Sequence, residues 1–190
     1  QTHMFVHLLL GMLAPLLIAA SAPVTLMFRT LDTKTGRFVS RIVRSRLFRF
    51  LGHPVTASFL NIGGLWILYT TGLYSAMQEN LFLHGIVHLH LFLAGYVFTA
   101  SMLYIDPFPH RFSFYYRSIV LTIAMGCHSI IAKYLYAHPP EGVPASQAEA
   151  GSKIMYYGGD LIHLAIIMIF CWKWYQTAAP RLSSSLKRQL

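Results

Sequence analysis

Charge is scarce in this chain, acidic charge most of all. Asp and Glu number 6 among 190 residues, and charged residues make up 11%, against about a quarter in a soluble domain. That supply cannot cover a water-exposed surface of this size. Cysteine is nearly absent: Cys127 and Cys171 sit in different apolar runs without zinc-finger spacing. Their depths differ, which argues against a bridge, because disulfide α-carbons lie within about 7 Å. Both read as packing residues, with Cys127 near enough to the outer level to assist a metal. Polar–apolar alternation suited to an outer-membrane barrel is missing. So are a phosphate-cradling glycine loop, a His-Glu-x-x-His helix and any Ser-His-Asp order, which leaves hydrolysis without a catalytic set.

Apolar sequence is what abounds. The chain is 55% hydrophobic with a mean hydropathy of +0.51. Five stretches, about 4–28, 54–77, 82–105, 112–135 and 154–175, approach the roughly 20 residues a membrane-crossing helix requires. The expectation is an all-α fold: a polytopic transmembrane bundle of about five spans in one domain covering 1–190. Residues 29–52 form a basic connector whose Phe38, Ile42, Leu47 and Phe50 suit an interfacial amphipathic helix. The start at Gln1 reads as truncated or processed, with further spans expected upstream.

A net charge of +9 raises nucleic acid, but its placement argues for topology. Arg29, Lys34, Arg37, Arg41, Arg44, Arg46 and Arg49 crowd the connector; Arg111 and Arg117 flank the fourth span; Lys173, Arg181, Lys187 and Arg188 follow the fifth. Only Lys133 and Lys153 border the other side. The positive-inside rule makes the basic side cytoplasmic, so the expectation is a multi-pass plasma-membrane protein contacting bilayer lipid and no nucleic acid.

The histidines then fall at the outer side. His3 with His7, and His84 with His88, are each spaced to share a helix face. At about 1.5 Å of rise per residue, His7, His88, His128 and Asp160 come to one level of the outer leaflet, with His3 and His84 nearer its surface. Imidazole in hydrocarbon requires a partner, and imidazole suits zinc, copper, iron and nickel, while thioethers select copper(I). Met4, Met12, Met125 and Met155 lie at similar depth, which favours copper. The expected metal residues are His3, His7, His84, His88, His128 and Asp160, Asp160 either coordinating or orienting a ligand. His163 shares a face with Asp160 and is a weaker candidate; His90 points away from His88; His53, His110 and His138 read as surface or cap residues. Paired histidines also permit a bis-His haem b electron carrier, a diiron oxygenase, or an ion-free scaffold.

An ordered series of motifs resembles the CtaG family of cytochrome c oxidase assembly factors. It runs His3-Met4-x-x-His7 with Ala14-Pro15-Leu16-Leu17, His53-Pro54-Val55 with Asn61 and Trp66, and His84-x-x-x-His88 with Phe92-Leu93-Ala94-Gly95. It ends in Gln147-Ala148-Glu149-Ala150-Gly151 and Met155-Tyr156-Tyr157-Gly158-Gly159-Asp160. The resemblance implies maturation of a haem-copper oxidase by a copper-binding metallochaperone without turnover chemistry. It implies oxidase subunits as partners, and a second copy of the chain is a further candidate partner. It also implies a second-span histidine, where this chain carries Tyr69, and spans preceding the His-Met motif.

Overall fold

The computed structural model describes residues 2–106, 111–140 and 142–186, with side chains described between His3 and Ala178. Residues 107–110, His110 among them, lie outside the described residues, as do Lys187 and Arg188. Described secondary structure is helical throughout. Helix α1 (Thr2–Leu8) runs through a π-helical turn (Leu9–Leu13) into α2 (Ala14–Ala20) as one rod. Pro15 has no N–H, so a carbonyl one turn back loses its donor and the helix widens just before it. The first span ends at Ala20, earlier than the apolar run. Ala22 takes a left-handed conformation (φ 53°), and Pro23 opens a separate helix, α3 (Pro23–Thr30). Helices α4 (Thr33–Val43) and α5 (Arg46–Leu51) fill the basic connector. Asp32 and Ser45 cap them, and neither helix buries a residue.

The second rod comprises α6 (Pro54–Ser58), a second π turn (Phe59–Gly63) and α7 (Gly64–Thr70). It stops at Thr71, whose backbone is extended, and restarts as α8 (Leu73–Glu79). The expected run to 77 is therefore broken by Thr71-Gly72, leaving a rod of about 25 Å, the short end for crossing a bilayer. Three long helices follow: α9 (Leu81–Leu103), α10 (Phe114–Ala137) and α11 (Ala145–Leu186). The first rod (His3–Ala20) and these three are long and apolar enough to cross a membrane. The protein is an all-α, multi-pass membrane bundle.

Glycines let these rods touch. A Cβ on Gly95 would lie 2.1 Å from the Gly11 carbonyl oxygen and 3.1 Å from Pro15 Cγ, so α9 meets the first rod backbone to backbone. Gly158 and Gly151 of α11 make room for the side chains of Leu8 and Met4 of α1. Buried apolar residues form two clusters. One, around Met12, Ile62, Phe98, Leu121 and Ile166, lies toward the basic end. The other, around Met4, Leu65, Leu91, Ile131 and Met155, lies toward the opposite end. A buried polar layer of His7, Asn61, Thr99, His128 and His163 sits between them.

At the basic end the buried Asp106 carboxylate holds the start of α3. Asp106 accepts hydrogen bonds from Val24 N–H (3.1 Å), Thr25 N–H (2.8 Å) and Thr25 Oγ1 (2.7 Å), capping α3 from a distant loop. Arg117 closes the other side, donating to the Met102 carbonyl and lying 4.3 Å from the centre of the Tyr104 ring. Asp106→Ala orphans those donors, and the expected loss is about 1–3 kcal/mol of stability, read as a lower melting temperature in detergent. Asp106→Asn, which still accepts, recovers part of it.

Candidate metal centre

The histidines form a ladder of two tiers rather than one level. The upper tier contains His3 from α1 and His84 and His88 from α9, all half-buried. Their helical spacing turns His84 and His88 to one side, where their rings stack with centroids 4.3 Å apart. His3 meets His88 edge-on at 5.5 Å and His84 at 6.3 Å, with Tyr74 closing on it at 5.3 Å. His88 Nδ1 is 2.9 Å from the His84 carbonyl oxygen. A carbonyl only accepts, so Nδ1 carries the proton and the Nε2 lone pair is left for another partner.

The lower tier is buried and draws on three helices: His7 of α1, His128 of α10 and His163 of α11. His128 and His163 lie perpendicular, centroids 5.0 Å apart. Gly159 makes room, since a Cβ there would lie 2.4 Å from His128 Cε1. His7 lies over Gly11, where a Cβ would approach its ring to 3.6 Å. Between these rings is a cavity of about 10 Å³, also lined by Asn61 and Thr99, roughly the room one water needs. Asn61 lies within the second π turn and is buried on the same face as Pro54, Ala57 and Leu65.

Among the described residues, the buried side-chain nitrogens and oxygens without a hydrogen-bond partner are Arg117 Nε and six imidazole nitrogens. These are His3 Nε2, both nitrogens of His7, both of His128, and His163 Nδ1. Each unsatisfied buried polar atom costs about 1–3 kcal/mol. The donor set, imidazoles with Met4 alongside, fits a borderline or soft metal ion. Among the described residues, no three His, Cys, Asp or Glu side chains surround one point at coordinating distance. The arrangement is a succession of ring pairs, suited to an ion moving between neighbours more than to a closed cage.

The other sequence candidates fall around this ladder. Asp160 lies on the exposed side of α11, one residue beyond Gly159, whereas His163 turns inward. His90 Nε2 reaches the Leu60 carbonyl at 3.3 Å through the notch left by Gly64, outside the ladder. Tyr69, a residue not singled out as a ligand, donates from its hydroxyl to Met4 Sδ at 3.2 Å and packs on His7 at 6.1 Å. His53 occupies the N-cap position of α6 without a side-chain capping bond, and His138 stacks on Tyr134. Met12 and Met155 are buried in the two clusters, and Cys127 and Cys171 are free thiols.

A family profile described as "Cytochrome c oxidase caa3 assembly factor" (Caa3_CtaG) matches residues 1–177. An uncharacterized protein of Mycobacterium leprae is 31% identical over 136 residues, covering 68% of this chain and 21% of the relative. Uncharacterized proteins of Mycobacterium bovis and Mycobacterium tuberculosis are each 32% identical over 136 residues, with the same coverage. The chain thus spans about a fifth of the length of these relatives. No solved structure matches it significantly.

Proposed function

The chain belongs to the Caa3_CtaG family of cytochrome c oxidase caa3 assembly factors, and from that premise we propose that its histidine ladder binds copper and passes it to a haem-copper oxidase. The supporting observation is the set of six unpaired imidazole nitrogens on membrane-spanning helices. Copper is cargo here, taken up and released without turnover chemistry. By the positive-inside rule the ladder opens on the side away from the basic connector, the outer face of the plasma membrane.

His3, His84 and His88 form the entry. The His84 carbonyl fixes the His88 ring so that Nε2 faces a partner before any ion arrives, the orienting role that carbonyls perform for metal-binding histidines. His7, His128 and His163 form the inner station, with the Met4 thioether one turn from His7. Transfer proceeds by exchange of one ligand at a time, each imidazole replaced by its neighbour, so that the ion is never stripped bare in a medium of low dielectric. Asp160 stands beside the inner station on the exposed side of α11, positioned for an oxidase subunit docking there.

A bis-His haem is a poorer fit, because the space among the lower rings is about 10 Å³, whereas small-molecule pockets run to about 300 Å³ or more. Two measurements test the reading. Purified protein loaded with copper(I) and desalted is expected to retain the metal and show no Soret band; a copper-free preparation or a Soret band overturns it. Tyr69→His adds an imidazole against His7 and is expected to tighten copper(I) about tenfold in competition with a chelator, equivalent to about 1.4 kcal/mol. Unchanged affinity would remove the inner station from the pathway.

A further inference from the structure

The two histidine tiers are not joined imidazole to imidazole. His3, His84 and His88 contact one another in the upper tier, and His128 contacts His163 in the lower. Among the described residues, the ring that meets His7 is Tyr69, at 6.1 Å. Tyr69 in turn meets Tyr74 at 5.7 Å, and Tyr74 meets His3 at 5.3 Å. Tyr69 therefore stands at the junction of the tiers. Its hydroxyl donates to Met4 Sδ at 3.2 Å, and Met4 lies on α1 one residue past His3 and one turn before His7.

Met4 is held there from two sides. Its Cγ crosses α11 at Gly151, where a Cβ would lie 2.9 Å away, and its sulfur is fixed by Tyr69. Both residues are buried. A methionine side chain ordinarily adapts through three rotatable bonds, so this one has been set in place before any ion arrives. The thioether is a weak acceptor; the Tyr69 hydroxyl takes one of its lone pairs and leaves the other. Nitrogens without a partner flank it on α1, His3 Nε2 on one side and both nitrogens of His7 on the other. An uncharged thioether suits copper(I) and silver(I), whereas imidazole also holds divalent ions such as zinc(II). A step made on sulfur separates ions that imidazoles alone would accept together.

We propose that the Met4 thioether is the selective step between the two tiers, passed by soft monovalent ions and closed to divalent ones, with Tyr69 as the residue that positions it. The proposal rests on the reading of the ladder as a copper route. It assigns capture to the upper imidazoles and discrimination to the sulfur, so that a divalent ion held by His3, His84 and His88 goes no further.

Methionine methyl NMR of the full chain reads this step. The 8 methionines carry carbon-13 at the ε-methyl, and the Met4 resonance is identified by its loss in Met4→Leu. Silver(I) stands in for copper(I) in chloride-free detergent solution. Silver(I) is expected to shift Met4 and to leave Met102, buried toward the basic end, in place; zinc(II) is expected to bind without a comparable shift of Met4. Met4→Leu, a swap of similar volume, is expected to keep its melting temperature and zinc(II) affinity and to lose about a hundredfold in silver(I) affinity. Tyr69→Phe keeps the ring, drops the hydroxyl, and is expected to lose about tenfold in silver(I), the cost of immobilising one free side chain. Silver(I) bound with Met4 unmoved overturns the proposal and leaves the ladder as a metal site. So does an equal loss of both ions in Met4→Leu, an equal Met4 shift by zinc(II), or unchanged silver(I) affinity in Tyr69→Phe. A chain that binds neither ion overturns this proposal and the copper reading together.

Discussion

His7→Ala is expected to weaken copper binding by a hundredfold or more, about 2.7 kcal/mol, while leaving the melting temperature nearly unchanged. Both halves of that result follow from the same observation. His7 is buried, and neither ring nitrogen has a hydrogen-bond partner. Removing the ring leaves a cavity, which destabilises, but also deletes two unsatisfied polar atoms that each cost about 1–3 kcal/mol. The two effects oppose each other in stability and leave metal affinity as the main loss. A histidine kept only for packing would behave oppositely: a lower melting temperature and unaltered copper. His88→Ala, at the entry, is expected to slow loading more than it weakens the final affinity, because the inner rings remain. Copper competition titrations, stopped-flow loading and thermal unfolding in detergent read the three quantities separately.

Gly95→Ala carries the largest expected cost in stability, about 3 kcal/mol, the upper range for forcing atoms into a packed interior. The added Cβ would lie 2.1 Å from the Gly11 carbonyl oxygen and 3.1 Å from Pro15 Cγ. Neither is the end of a flexible side chain, so the first rod must move as a body. That rod carries His3 and His7, and its displacement separates them from His88 and His128. The variant is therefore expected to lose copper as well as stability. Gly126→Ala is the matched control. No atom lies within 4 Å of its added Cβ, and replacing a mid-helix glycine is expected to stabilise by about 0.5–1 kcal/mol. Equal melting temperatures for the two variants would contradict the close approach of α9 to the first rod.

Much of this architecture was legible in the sequence because lipid imposes simple demands. Apolar runs of sufficient length marked the long helices, and His84 with His88 were placed on one side of α9 by spacing alone. The break at Thr71 was not legible, since the apolar run continues through it and only the backbone turns. The inner tier was read less well. Asp160 and His163 share a face at helical spacing, but about 100° of rotation per residue lets α11 direct Gly159 and His163 inward and Asp160 outward. The Gly158-Gly159 pair was the available signal, because small residues mark where another helix or ring comes close. Asn61 appeared in the motif series but not among the site residues, although its spacing from Pro54 and Ala57 already placed it on the buried face of the second rod. Asp106, an acid just past the third apolar run, gave no hint that it caps a helix some 80 residues earlier.

X-ray absorption at the copper edge tests the central claim most directly. The purified full chain, loaded with copper(I) and desalted, is predicted to retain the ion with imidazole nitrogen scattering dominating its first shell. His7→Ala is predicted to lose that signal. A protein that retains no copper, or copper whose surroundings lack imidazole and do not change in His7→Ala, would contradict the account.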